Sequence, residues 1–110
     1  MSLFMFQAKY SVDAFKAMLN EPQDRTAAAE AIVAATGGKL RALYFAFGDY
    51  DVVAIIDAPD DQAMAAGAMV LAASGSFSGG KTTKLMTASD AKSAMEAAAS
   101  AASSYKPVTG

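Results

Sequence analysis

The chain has 110 residues, enough for one domain with a core, and its formal net charge of −2 with scattered Lys and Arg argues against a nucleic-acid surface. It contains no Cys and no His, which excludes a disulfide framework, any zinc, copper or haem site that needs thiolate or imidazole, and catalysis by a Cys–His or Ser–His pair within one chain. We therefore predict no cofactor, no metal site and no nucleic-acid partner, and a core of large apolar residues, because nearly half of the hydrophobic residues are Ala.

The first third of the chain predicts a strand followed by an interrupted helix. Residues 3–10 (LFMFQAKY) are rich in aromatic and large apolar side chains, which favour a strand. Ser11 is placed to cap a helix that a proline then interrupts. Asp24 is placed to cap a second helical piece over residues 25–36, which the Gly pair at 37–38 ends because Gly accepts positive φ.

The middle of the chain predicts a hairpin and a helix. Two apolar strands are expected over residues 39–47 and 50–57. A tight turn at Gly48 and Asp49 joins them, with Gly supplying positive φ and Asp an Asx hydrogen bond. Pro59 ends the second strand, and Asp60 or Asp61 is placed to cap a helix that runs to about Ala73.

The last third predicts one more strand and one more helix. Residues 75–80 are expected to form a flexible Gly-rich connection, and residues 81–87 a fourth strand. Thr87 followed by Asp90 resembles a capping box for a final helix over residues 89–103, which is almost entirely Ala and Ser.

This order of elements predicts an α+β ferredoxin-like βαββαβ fold. Two split βαβ units build an antiparallel four-stranded sheet with both helices on one face. We assign residues 1–87 to this domain, and residues 88–110 to a C-terminal helix and tail rich in Ala and Ser.

The predicted hairpin is apolar on both of its faces. Its first strand alternates between Leu43, Phe45 and Phe47 on one side and Leu40, Ala42, Tyr44 and Ala46 on the other. Because the helices cover only one face, we predict that the sheet of a second copy covers the other, giving a homodimer or larger homo-oligomer. The alternative cover is the C-terminal helix folding back onto the sheet.

The N-terminal segment lacks the basic region and long apolar run of a signal peptide. The longest nearly continuous apolar run, residues 63–73, is shorter than the roughly 18 residues that a membrane helix needs. We therefore predict a cytoplasmic protein without a membrane partner.

The segment FAFGDYDVVAIIDAPDD, residues 45–61, resembles the GYD domain family, a group of small bacterial and archaeal proteins named for such a motif. The specific part is GDYD at residues 48–51, followed by the apolar strand and APDD at residues 58–61; the similarity runs over residues 3–87. The family is similar in fold to dimeric α+β barrel proteins, which implies a ferredoxin-like protomer that associates through its sheet. It has no single established activity, so the resemblance leaves the function open.

The candidate ligand-binding residues are Tyr10, Tyr44, Tyr50, Asp51 and Lys84. Tyr and Lys side chains can orient an aromatic or carbonyl-bearing small molecule, while the competing interpretation is amphipathic packing with polar tips in solvent. Asp49 and Asp51 offer too few carboxylates for a tight Mg²⁺ or Ca²⁺ site, and turn chemistry is the competing interpretation for this motif. We predict no catalytic residue.

Residues 75–82 (GSFSGGKT) match the phosphate-binding pattern GxxxxGK[ST]. That pattern works when a strand leads into the loop and a helix leads out of it. Here the predicted elements are reversed, so we do not predict nucleotide binding.

Three functional interpretations remain open. The leading one is a homo-oligomeric small-molecule-binding or assembly module without evident catalysis. The alternative is a cofactor-independent enzyme of the dimeric α+β barrel kind, an oxygenase or isomerase acting on a small aromatic or quinone-like compound. It rests on fold analogy and predicts an enclosed pocket lined by Tyr and Lys, either between the sheet and its helices or at the barrel mouth. The third is partner binding through the Ala-rich tail, in which removal of residues 88–110 changes the assembly size and leaves the protomer folded.

Overall fold

The structure is a computed structural model that describes residues 1–110. Its elements, in chain order, are β1 (Ser2–Tyr10), α1 (Val12–Asn20), α2 (Thr26–Ala35), β2 (Lys39–Phe45), β3 (Val52–Ala58), α3 (Asp61–Ala73), β4 (Phe77–Leu85) and α4 (Ala88–Ala101). The four strands form one sheet in the order β2-β3-β1-β4, with every neighbouring pair antiparallel. This is the predicted α+β ferredoxin-like protomer, and the predicted fold class is confirmed.

The core lies between one face of the sheet and the helices. Alternate residues of the two central strands are buried: Phe4, Phe6, Ala8 and Tyr10 in β1, and Val52, Ala54, Ile56 and Ala58 in β3. Val33 of α2 and Met64 of α3 complete this cluster, and α1 packs against it. Because side chains alternate across a strand, this pattern fixes which face of the sheet carries the helices.

Predicted caps begin three of the helices. The Ser11, Asp60 and Thr87 side chains each accept a backbone N–H three residues on, over 3.1, 2.8 and 3.0 Å respectively. Asp24 was predicted to be the N-cap residue of α2, but Arg25 occupies that position and Asp24 lies one residue before it. The Asp24 carboxylate still accepts a backbone N–H of the first turn, that of Thr26, over 2.9 Å. Gly37, with φ of +82°, ends α2 as predicted.

A β-bulge in β2 corrects the predicted faces of that strand. The register shifts between Leu40 and Ala42, so that Leu40 pairs with Ile56 and Leu43 with Ala54. Both partners are buried on the helix side, and Leu40 therefore shares the helix face with Leu43 instead of opposing it.

The hairpin connection also differs from the prediction. Residues 46–51 join β2 to β3, and Gly48 does not adopt positive φ. Asp49 makes no side-chain hydrogen bond, so the expected tight Gly-Asp turn is wrong. Asp51 determines the conformation instead, because its N–H donates to the Ala8 carbonyl and its carbonyl accepts the Ala46 N–H.

The fourth strand begins earlier than predicted. Residues 77–80, expected to be a flexible connection, pair with β1, and β4 ends at Leu85. Pairing overrides the low strand propensity of Gly here, and Gly80 has a positive role because a Cβ at that position would lie 3.1 Å from the Gln7 carbonyl oxygen. Lys81 and Thr82 lie inside the strand, so the GSFSGGKT segment lacks the geometry of a phosphate-binding loop.

The sheet face opposite the helices, here called the open face, is apolar at its centre. By strand register it carries the apolar residues Leu3, Met5, Ala42, Tyr44, Val53, Ile55 and Leu85, together with Gln7, Asp57, Lys81 and Thr83. The C-terminal helix does not cover it: α4 has no buried residue, and the chain measures 60 × 32 × 22 Å along its principal axes. The predicted alternative, in which this helix folds back on the sheet, is wrong for the single chain.

None of the helices combines the length and the apolar character that crossing a lipid bilayer requires.

Candidate functional site

A cavity of about 280 Å³ lies between the helix face of the sheet and helices α1 to α3. Sixteen of its twenty lining residues are hydrophobic, which suits a largely apolar ligand. The large ones come from every surrounding element, among them Phe6, Met18, Ile32, Leu43, Leu71 and Phe77. No Asp, Glu or Lys lines the cavity.

Small helix residues create this space. Ala14 and Ala17 of α1 and Ala28 and Ala29 of α2 face the cavity, where most helices of a packed core present Leu, Ile or Met. Larger residues elsewhere on the helices determine the distance between the helices and the sheet. The methyl side chains of these Ala residues are too short to span that distance, so the space between the two layers is not filled.

An aromatic cluster closes one end of the cavity. The Tyr10 ring stacks on Phe77 with a centroid distance of 4.8 Å and meets Phe15 edge-on at 5.7 Å. Phe45 stacks on the other side of Tyr10 at 6.2 Å. Offset stacked and edge-on pairs of this kind are favourable, and they hold the Tyr10 ring in one orientation.

Arg25 is the one charged residue that lines the cavity. Its guanidinium donates to the Gln23 side-chain oxygen over 2.7 Å, and the Gln23 amide donates in turn to the Glu21 carbonyl over 3.2 Å. The ion pairs of the chain are Lys9–Asp51, Arg41–Asp57 and Lys84–Asp61, so Arg25 has no carboxylate partner.

Asp51 is buried at the end of the sheet, with 5% of its surface exposed. One carboxylate oxygen accepts the Tyr10 N–H over 2.9 Å, and the other lies 3.8 Å from the Lys9 ammonium. Both contacts are to β1, so the carboxylate fastens the hairpin connection to the last residues of that strand.

The other predicted site residues lie apart from the cavity. Tyr44 is 63% exposed on the open face, and Tyr50 is half-buried in the hairpin connection. Lys84 pairs with Asp61 at 2.8 Å, opposite Phe4 and roughly 20 Å along β1 from Tyr10. The structure therefore brings Tyr10 and Asp51 together, and it does not bring Tyr44, Tyr50 or Lys84 to them.

The sequence profile of the GYD domain family matches residues 4–95. The chain belongs to the GYD domain family. Among solved structures, the crystal structure of MtbAldR is similar, with a TM-score of 0.54 and 14% sequence identity, over 78% of this chain and 52% of that one. At this identity the likeness shows the fold alone, and the matched part of this chain spans about half the length of MtbAldR. No similar sequence was found among curated proteins.

The geometry gives the GYD motif a structural role. Its final acid, Asp51, supplies the carboxylate that binds the Tyr10 N–H, and the residue before it, Tyr50, carries no side-chain hydrogen bond. Because Tyr10 also lines the cavity, the motif helps to fix the backbone position of a cavity residue.

Apart from Tyr10, none of the residues that line the cavity was among the predicted ligand-binding residues, and Arg25 is the most important of those missed. Arg25 stands in the polar connection between α1 and α2, and only the folded chain brings it over the sheet. The only local sequence signal for the cavity is the presence of Ala residues at helical spacing on α1 and α2. Such residues indicate a helix packed closely on the sheet as readily as they indicate a cavity.

We expect Tyr10 to make this GYD domain less stable at alkaline pH. Burial raises the pKa of the Tyr10 hydroxyl above its ordinary value of 10.0, and the nearby Arg25 charge opposes this rise. A raised pKa in the folded state contributes stability that is complete below pH 10.0 and is lost as the pH rises through the folded-state value. Urea unfolding at increasing pH will show a shallower alkaline decline for Tyr10→Phe. The exposed Tyr105→Phe is the control, and equal declines in wild type and Tyr10→Phe would contradict the expectation.

Proposed function

We propose that this GYD domain is a homo-oligomeric module that binds a small, largely apolar molecule in the cavity between its sheet and its helices. The cavity itself carries the proposal, because its volume of about 280 Å³ and apolar lining approach the range of about 300–1,000 Å³ that is usual for ligand sites. The interior of a packed domain normally has few voids larger than a water molecule.

The open face supports the oligomeric part of the proposal. Its central residues, among them Met5, Val53 and Ile55, are apolar, and neither a helix nor the tail of the same chain covers them. A second copy offers the same surface, so a two-fold pairing of sheets would cover both faces at once. The Arg41–Asp57 pair and Lys81 lie at its edges, as expected for the polar rim of an interface.

The enzyme interpretation receives less support. It requires a Tyr and a Lys in the pocket, and only Tyr10 is present there, while Lys84 lies outside. The pKa of the Tyr10 hydroxyl is raised by burial, which favours the protonated phenol over a base. We therefore assign the cavity a binding role.

Filling the cavity tests the proposal. We expect wild type to bind indole, a neutral aromatic probe, and Ala29→Phe to bind it at least about tenfold more weakly, because the new ring would occupy the space. Isothermal titration calorimetry measures both affinities.

Ala31→Phe is the matched control, since Ala31 is exposed on the same helix and does not line the cavity. It should bind indole as wild type does. Failure of wild type to bind indole or any other small aromatic probe, or equal binding of indole by wild type and Ala29→Phe, would contradict the proposal.

A further inference from the structure

The lining of the cavity carries a single charge, which is positive. Of the residues that line it, only Arg25 carries a charge, and the remaining polar groups are the neutral Gln23, Ser74, Ser76 and the Tyr10 hydroxyl. A ligand that fills this space therefore meets uncharged, mainly apolar walls everywhere except beside Arg25.

The Arg25 guanidinium is available to a ligand. Its polar contacts are with neutral groups, the Gln23 side-chain oxygen and the Tyr10 hydroxyl, and no carboxylate lies within ion-pair distance. Asp24, the neighbouring acid, is engaged by the N–H and hydroxyl of Thr26 over 2.9 and 2.6 Å. A guanidinium has five N–H donors in a planar fork, so several remain for a carboxylate, which matches that fork with two parallel bonds.

One neutral donor also favours a negative charge at this end. The ordinary pKa of the Tyr10 hydroxyl is 10.0 and burial raises it further, so the group is protonated at neutral pH and can donate a hydrogen bond to an anion. The dipole of helix α2 adds little, because the Asp24 carboxylate already accepts the Thr26 N–H at the start of that helix.

The aromatic side chains beside Arg25 suit a ring. Tyr10 and Phe77 present a fixed aromatic pair, and Phe6 meets Phe77 edge-on with a centroid distance of 6.4 Å. No Asp or Glu lines the cavity, so an ammonium group next to the carboxylate would lie beside the like charge of Arg25 without an acidic partner. The site therefore selects against amino acids with the same skeleton.

Resting on the proposed function, we propose that the ligand is a small aromatic monocarboxylate, with its carboxylate bound by Arg25 and its ring against Tyr10 and Phe77. The volume of about 280 Å³ accommodates one ring with a short side chain. The 3-phenylpropanoate anion is a representative of this class.

The experiment compares three ligands of one skeleton by isothermal titration calorimetry on the full chain. We expect wild type to bind 3-phenylpropanoate about tenfold or more tightly than the neutral 3-phenylpropanamide, as a charge-assisted hydrogen-bond pair provides. Phenylalanine, which adds an ammonium group, should bind at least about tenfold more weakly than 3-phenylpropanoate.

Variants then assign the preference to Arg25. In Arg25→Gln the acid and the amide should bind within about twofold of each other, whereas Arg25→Lys should retain part of the preference. Lys16→Gln is the control, because it removes one positive charge from an exposed position on α1 outside the cavity.

The outcomes separate the two proposals. If indole and the amide bind but the acid binds no more tightly, or if Arg25→Gln keeps the full preference, the carboxylate inference is wrong and the apolar site stands. Equal binding of phenylalanine and 3-phenylpropanoate would also overturn the inference. If neither indole, the amide nor the acid binds, the proposed function itself fails.

Discussion

Replacing Asp51 with Ala will lower the free energy of unfolding by about 2–3 kcal/mol, as expected when a buried donor loses its acceptor. Asp51 is 5% exposed, and its carboxylate accepts the Tyr10 N–H over 2.9 Å. Without it, that N–H has no protein partner at the point where β1 ends and the hairpin connection crosses it. Urea unfolding followed by circular dichroism measures the change.

Two controls separate the hydrogen bond from the charge. Asp51→Asn keeps a hydrogen-bond acceptor and the shape of the side chain, and loses only the attraction to the Lys9 ammonium at 3.8 Å. Because Lys9 is exposed, that attraction is weak, and we expect Asp51→Asn to lose less than half as much stability as Asp51→Ala. Asp49→Ala removes an exposed acid of the same motif that has no hydrogen bond, and should change stability by less than about 0.5 kcal/mol. Equal losses from Asp51→Ala and Asp49→Ala would contradict the assigned role.

Placing a charge at the centre of the open face will dissociate the proposed dimer. We expect wild type to be dimeric at micromolar concentration, and Ile55→Arg to be monomeric with a dissociation constant raised about 100-fold or more, because a pairing of sheets would bury the guanidinium without a partner. Ile55 contributes to the open face and not to the core of its own chain, so the protomer should stay folded. Multi-angle light scattering over a concentration series measures the assembly size.

The control for this variant is Ala65→Arg, which adds the same charge at an exposed position on α3. It should keep the assembly size of wild type. A wild type that is monomeric and well folded over the whole concentration series would refute the sheet-pairing proposal, whereas an Ile55→Arg variant that remains dimeric would place the interface elsewhere.

Features that depend on near neighbours in the sequence were predictable. The caps at Ser11 and Thr87 depend on a backbone N–H three residues away, and the end of α2 at Gly37 depends on the φ of one residue. The order of strands and helices followed from the same local signals, and with it the fold. These features need no knowledge of distant parts of the chain.

Features that depend on residues far apart in the sequence were not predictable. The partner of the Asp51 carboxylate is 41 residues away, so the motif resembled a turn and its role as a fastening could not be inferred. The strand pairing of Gly79 and Gly80 requires β1, which is the first element of the chain. The cavity depends on the separation of layers that larger residues elsewhere determine, and no single Ala indicates it.

The faces of β2 were assigned wrongly for a different reason. An alternating pattern counts residues, and a bulge inserts one residue that the count cannot recognise. Arg41 lies at the shift, and its side chain pairs with Asp57 at 3.2 Å.

The same bulge bears on how this protein can change during evolution. With it, β2 supplies Leu40 and Leu43 to the core while Ala42 and Tyr44 reach the open face. Loss of Arg41 would remove the bulged residue and restore plain alternation, so Leu40 and Leu43 would stay on the core face. Gain of one further residue would instead move every side chain on one side of that point to the opposite face. A single-codon deletion at Arg41 should therefore be tolerated, whereas a single-codon insertion in this strand would expose a core leucine, so insertions should accumulate in the exposed tail after Ser104 and avoid β2.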